Sequence, residues 1–230
     1  MQKIRDSIQR QEKLLNEVSD MAERPVYYIS NGKVTVRNYS FEWFPGFAIS
    51  QKQKSIDSLH NAILKNNKAV PLEVSTKSKN PLGVKLSAFN LKLNGYTLEN
   101  IFQSSKVFAF GGAYKDLLNV YPKDAKKDPR LKNSGELKAF DYNGEIFPLF
   151  PKTLFYDYIY IKAVVESLND EEIQEIRNYN HFTDIEFNPQ KSINTQAKSV
   201  AIIRLMLDIY GSIPKFNKEE FTNFHTENVF

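Results

Sequence analysis

Two Asn-Gly pairs constrain this chain more than any other feature. Asn31-Gly32 sits between the strand-like runs 26–29 and 33–37, and Asn143-Gly144 between 137–142 and 145–149. A type I′ turn needs φ above zero at both central residues, which asparagine and glycine reach at least cost, so each pair predicts an antiparallel hairpin. The stretches between them are helical in pattern. Residues 50 to about 66 place Ile56, Leu59, Ala62 and Ile63 on one side and lysines on the other. Further helices are expected over 97 to about 110, 113–120, 122–131, 154–168, 170–178 and 194–210. Strands are expected at 70–74 and 83–93, with a short extended segment at 182–187. Helices and strands mix without β-α-β regularity or internal repeat, which predicts an α+β fold, mainly helical with short strands and hairpins. A length of 230 residues suits one compact domain.

The N-terminal stretch reads differently. Residues 1 to about 24 are polar, contain no glycine or proline, and space Ile4, Ile8, Gln11, Leu15, Val18 and Ala22 in heptad fashion before Arg24-Pro25. They predict a helical extension, either partner-binding or packed on its own domain. The expected division is therefore 1–24 as extension, 25–212 as the domain, and 213–230 as a C-terminal tail. The chain has no cysteine, which excludes disulfides, thiolate metal sites and a cysteine nucleophile. His60, His181 and His225 lack ligand spacing, so no metal is expected, and no cofactor either. No run of about 20 apolar residues occurs, and MQKIRDSIQRQEKLL lacks the apolar centre of a signal peptide. A cytoplasmic protein without a membrane partner is the expectation. Lys and Arg exceed Asp and Glu by 31 to 27, a net charge of +4 that fits contact with phosphates without requiring it.

The segment richest in chemistry runs from Thr97 to Lys106. Thr97 can cap a helix, and Glu99 in the first turn suits the helix dipole. At about 100° per residue, Glu99 and Lys106 fall two turns apart and about 20° from one azimuth. Gln103 lies between them and Phe102 beside them. From spacing alone this row is either a solvated polar face or a carboxylate and an amine held in a cleft. In a cleft, the lysine can act as a nucleophile and the carboxylate can move protons.

Leu86-Ser87-Ala88-Phe89, followed by Thr97-Leu98-Glu99-x-x-Phe102-Gln103-x-x-Lys106, resembles the L-S-N-F and T-x-E-x-x-F-Q-x-x-K pattern of the NADAR family. Phe182-Thr183-Asp184 is similar to the family's W-G-D segment, and Asn194 opens the last long helix as expected for it. Trp43-Phe44-Pro45-Gly46, with the 50–56 stretch, is similar to the branch whose members are antitoxins to DarT-type toxins that ADP-ribosylate guanine in DNA. The resemblance spans about 24 to 212. Ala88 replaces the family's asparagine, and Phe182 its tryptophan, keeping a stacking face but losing the indole donor.

The resemblance implies a NADAR-like domain with N-glycosidase activity, removing ADP-ribose from the guanine amino group of ADP-ribosylated DNA, single-stranded rather than duplex. Free ADP-ribose is the implied product and a DarT-type toxin the implied partner. Lys106, Glu99 and Asp184 are the implied catalytic residues. Ser87, Phe89, Phe102, Gln103, Phe182 and Asn194 are the implied substrate contacts. Lys106 either attacks the anomeric carbon or only binds charge while water attacks with help from Glu99 or Asp184. Asp184 either orients a ribose hydroxyl or caps local backbone, and Asn194 either caps its helix or touches ligand. Phe89 and Phe102 either stack on substrate or belong to the core. Lys52, Lys54, Lys77 and Lys79 are either a margin for phosphates or ordinary solvated lysines. Two alternatives come from other classes. Asp184, Glu186, Lys191 and Glu99 have the residue types of a metal-dependent nuclease, and the heptad-like N-terminus suits a non-catalytic, toxin-binding antitoxin.

Overall fold

A computed structural model describes residues 20–65, 68–190 and 192–229. It opens with β1 (Asp20–Ser30) and β2 (Lys33–Trp43), paired antiparallel from Asp20↔Trp43 to Ser30↔Lys33. Then follow α1 (Ile49–Leu64), β3 (Pro71–Glu73), α2 (Pro81–Lys85), β4 (Lys92–Leu93), β5 (Tyr96–Thr97), α3 (Leu98–Ser104), β6 (Lys106–Phe108) and β7 (Gly111–Gly112). After a single-turn helix at Lys115–Asn119 come α4 (Pro122–Lys127), α5 (Arg130–Asn133), β8 (Leu137–Tyr142), β9 (Glu145–Phe147), α6 (Leu154–Ser167) and α7 (Asp170–Glu175). The chain closes with β10 (His181–Thr183), α8 (Gln196–Tyr210) and α9 (Lys218–Asn228). This is an α+β fold, as the mixed pattern predicts.

One four-stranded sheet has the order β2-β1-β10-β3, with β10 antiparallel to β1 and parallel to β3. Its hairpin turns through φ 52° at Asn31 and 72° at Gly32, the type I′ geometry expected of that pair. The helix expected over residues 1 to about 24 lies outside the described residues up to 19, and residues 20–24 are strand instead. Ala22 faces Phe41 across the ladder, and Phe41 is buried with Ile56, Leu59 and Ile63 of α1. Cross-strand packing at this end outweighs the helical spacing of the same residues.

The second sheet has the order β7-β6-β8-β9, and its β8–β9 turn has φ 54° at Asn143 and 83° at Gly144. A third Asn-Gly turn, Asn94 (φ 53°) and Gly95 (φ 80°), joins β4 to β5. The larger core gathers around α6 and α8, where Tyr160, Ile161, Val200 and Ile203 are wholly buried. Two further expected elements change type in part. The strand expected at 83–93 begins as helix α2, because Asn80 accepts from Leu82 N at 2.8 Å and Pro81 takes the first helical position. Gly83 is pressed against the Glu73 carbonyl, where a Cβ would collide. The helix expected from 97 to 110 stops at Ser104, because residues 106–108 pair with β8, and Gly111–Gly112 pair with β6 in turn.

The stretch set aside as a tail packs into the domain. Asn217 and Glu220 form a reciprocal cap on α9. Phe221, Phe224 and His225 are buried, and Val229 bridges to Val34. No helix of the described residues is long and apolar enough to cross a membrane.

Candidate active site

Helix α3 is anchored by its apolar face and by one buried amide. Leu98 and Ile101 enter the core, and Asn100 Nδ2 donates to the carbonyls of Leu117 (2.6 Å) and Val120 (2.8 Å). Thr97 accepts from Asn100 N at 3.3 Å, capping the helix as expected. The opposite side presents Glu99, Phe102 and Gln103. Gln103 Nε2 donates to Glu99 Oε1 at 2.7 Å, one turn earlier. Lys106 is not on this helix; it opens β6, its Cα opposite Phe140. Its Nζ nevertheless donates to Gln103 Oε1 at 2.7 Å. The expected row of acid, amide and amine therefore exists, built from a helix and the start of a strand. The two bonds also orient the amide, oxygen toward the ammonium and nitrogen toward the carboxylate.

The Lys106 ammonium is partly buried. Burial pushes its pKa below the usual lysine value, Glu99 opposes that shift, and Lys126 adds to it. Lys126 Nζ lies 3.8 Å from Glu99 Oε2. Phe102 sits beneath the amine, with Nζ 4.9 Å from the ring centre.

Lys106 and Phe102 line a cavity of about 610 Å³. Phe140, Phe155 and Tyr156 continue the aromatic wall. Phe140 and Phe155 are stacked at 4.7 Å, and Tyr156 stands edge-on to Phe102 at 5.7 Å. The facing walls come from residues 148–154 and from Pro189, Gln190, Ser192, Ile193 and Asn194. Thr153 in that wall holds φ 69°, a costly conformation for a β-branched residue. Its hydroxyl donates to Asp157 Oδ2 and accepts from Lys198 Nζ, both at 2.6 Å. Asp157 is fully buried and also accepts from Ser199 (2.6 Å) and His225 (3.0 Å). The loop is thus held from beneath by α6, α8 and α9.

Of the residues singled out from sequence, Lys106, Phe102 and Asn194 line the cavity, with Gln103 and Glu99 directly behind. Asn194 does not cap α8, whose N-cap is Thr195. Asp184 is buried outside the cavity wall. It accepts from the backbone N–H groups of Glu186 (3.2 Å) and Phe187 (3.1 Å) and from Thr195 Oγ1 (3.3 Å). That is the local capping alternative. Burial, then the neighbouring Glu73 carboxyl, push its pKa up to about 8. Phe182 is wholly buried in β10 between Tyr27 and Leu72, so no ligand reaches its face. Phe89 is 74% exposed and outside the cavity wall. Ser87 is buried, and its hydroxyl has no partner among the described residues. Sequence reasoning missed Tyr156, Phe140 and Phe155, which come from separate segments and share no local spacing. It also missed Glu73, a buried carboxyl accepting from Thr183 Oγ1 (2.6 Å) and Ile185 N (2.8 Å).

The nuclease alternative needs acids that converge. Among the described residues, no three His, Cys, Asp or Glu side chains are placed to share a metal ion. Glu186 turns toward Lys52 at 3.8 Å.

The model of the DarT1-associated NADAR antitoxins matches residues 22–229, and the chain belongs to that family. Membership gives it an antitoxin role with a DarT1-type toxin as counterpart. The match takes in the segment after 212, in keeping with the packing of α9. Comparison with curated proteins gave no match.

Proposed function

We propose that this antitoxin is an enzyme, an N-glycosidase that removes ADP-ribose from the guanine amino group of ADP-ribosylated DNA. The observation that carries the reading is the Glu99–Gln103–Lys106 row, with its amine at the wall of an aromatic cavity. The cavity suits a planar base between rings, and the row suits a bond broken with charge on the sugar carbon. Lys106, as the neutral amine, attacks the anomeric carbon of the distal ribose while the bond to the guanine nitrogen breaks. Glu99 protonates that nitrogen, so guanine leaves with its amino group restored. Loss of a proton from the new C–N linkage and protonation of the ring oxygen open the sugar to an imine. Water then adds to the imine carbon, giving its proton to the Glu99 carboxylate. Collapse returns the lysine amine and frees ADP-ribose. Burial at Lys106 favours the neutral nucleophile.

Direct attack by water is the second reading, favoured by the position of the ammonium over the Phe102 ring at 4.9 Å, which stabilises the charged form. In it Glu99 activates the water and Lys106 offsets charge. In both, Asp184 positions the 184–195 segment rather than moving protons.

The test is incubation of an oligonucleotide bearing ADP-ribose on guanine with wild type and Lys106→Ala, both in EDTA. Free ADP-ribose and restored guanine from wild type alone are expected. Intact modified DNA with both proteins removes the activity and leaves toxin binding. Borohydride added during turnover separates the two routes, since only the imine is reduced to a stable adduct at Lys106.

A further inference from the structure

We propose that the edge built from the 43–47 loop, the first half of α1 and the 75–79 loop is the seat for a single-stranded stretch of DNA. The inference rests on the reading that the modified guanine is carried by DNA. Cations and rings alternate along this edge. The Arg24 guanidinium lies 5.1 Å from the Trp43 ring centre, and Lys52 Nζ lies 4.5 Å from the same ring. Lys54 Nζ lies 5.9 Å from the Phe44 ring. Phe47, further along the loop, is fully exposed. The 75–79 loop is tied to the same helix, because Gln53 Nε2 donates to the Lys77 carbonyl at 3.5 Å and Lys79 Nζ to Asp57 at 2.6 Å.

The charges are offset only in part: Lys52 pairs with Glu186, Lys79 pairs with Asp57, and Arg24 lies within the field of Asp184 and Glu73. Lys77 donates to Thr76 Oγ1 at 3.0 Å, and neither it nor Lys54 ends on a carboxylate among the described residues. Two buried polar atoms here, Arg24 Nε and Gln51 Oε1, also lack partners among the described residues. An exposed ring on an edge that also carries two lysines without a carboxylate partner among the described residues fits a strand whose bases stack while its phosphates meet lysines. A duplex keeps its base faces stacked inside and offers Phe47 nothing. The edge reaches the segment that forms one wall of the cavity, since Lys52 pairs with Glu186 at 3.8 Å, three residues before Pro189 in that wall.

The experiment is fluorescence anisotropy of the full chain with a short, labelled, unmodified deoxyoligonucleotide. Phe47→Ala should weaken binding about tenfold. The double variant Lys54→Ala with Lys77→Ala should lower the slope of log affinity against log salt by about 1.4, at about 0.7 per lysine. The same sequence as a duplex should bind more weakly than the single strand. Thermal melting should leave both variants at the wild-type midpoint, since these side chains support no core. In parallel, both variants should slow release of ADP-ribose from the modified oligonucleotide at low concentration but not from ADP-ribosylated guanosine. Wild-type affinity and salt slope in both variants, or preference for the duplex, overturns the proposal. Failure of wild type to cleave either modified substrate instead removes the glycosidase reading, while the anisotropy still judges the surface.

Discussion

Lys106 Nζ donates to Gln103 Oε1 at 2.7 Å, so the amine reaches the nearest helix carboxylate only through a neutral amide. The amide keeps Glu99 close enough to exchange protons but spares Lys106 a direct ion pair, which would hold it charged. Gln103→Glu removes that separation. A carboxylate at hydrogen-bond distance raises the lysine pKa, so the rising limb of the pH–rate profile should move to higher pH, and the rate at neutral pH should fall about tenfold per unit of displacement. A profile unmoved by the substitution would remove the neutral amine from the mechanism.

Glu99→Gln keeps the hydrogen bond to Gln103 within reach but cannot release or accept a proton. Turnover should drop by about two to four orders of magnitude, with affinity for ADP-ribose nearly unchanged. Single-turnover rates and product binding, measured together, check this. An equal loss in both would make Glu99 a structural support.

Asp184 gives a stability effect with a definite sign. Its pKa is raised from 3.8 to about 8 in the fold. Between those values the native state holds a proton that the unfolded chain has lost. Stability is therefore greatest below about pH 4 as far as this group is concerned, and falls as pH rises toward 8, by at most about 1.4 kcal/mol per unit. Asp184→Asn should flatten that fall in thermal midpoints measured across the window. An unchanged slope would place the proton elsewhere, with Glu73 the neighbour to test next.

Removal of residues 213–230 should cost the domain its stability rather than trim a tail. Phe221 and Phe224 are buried, and their loss alone amounts to roughly 3–6 kcal/mol. Asp157 would also lose its His225 partner inside the core. Denaturant unfolding of the truncated chain checks this, and a wild-type midpoint would contradict it.

Some of this architecture could be read from residues and some could not. The hairpins at Asn31-Gly32 and Asn143-Gly144 announce themselves because left-handed backbone at two successive residues selects that dipeptide. Asn94-Gly95 makes the same turn but is flanked by strands of only two residues, too short to show alternation. The Glu99–Gln103 spacing is a true helical turn, so the acid–amide half of the row was visible. The position of Lys106 was not, because β6 is set by pairing with β8, a partner distant in sequence. The aromatic cavity was hidden for the same reason, its rings arriving from α3, β8 and α6. Asp184 and Phe182 looked like ligand contacts from resemblance; burial turns one into a backbone cap and the other into core.

That Lys106 opens a strand changes what its spacing means. On a helix, one inserted residue would swing the amine by about 100° and leave it partly aimed. On β6, beside Phe140, neighbouring side chains point to opposite sides of the sheet. A one-residue slip of β6 against β8 would send the amine to the back of the sheet, and a second would return it. At its strand end, the aim of the amine is kept by parity and not by a helical period.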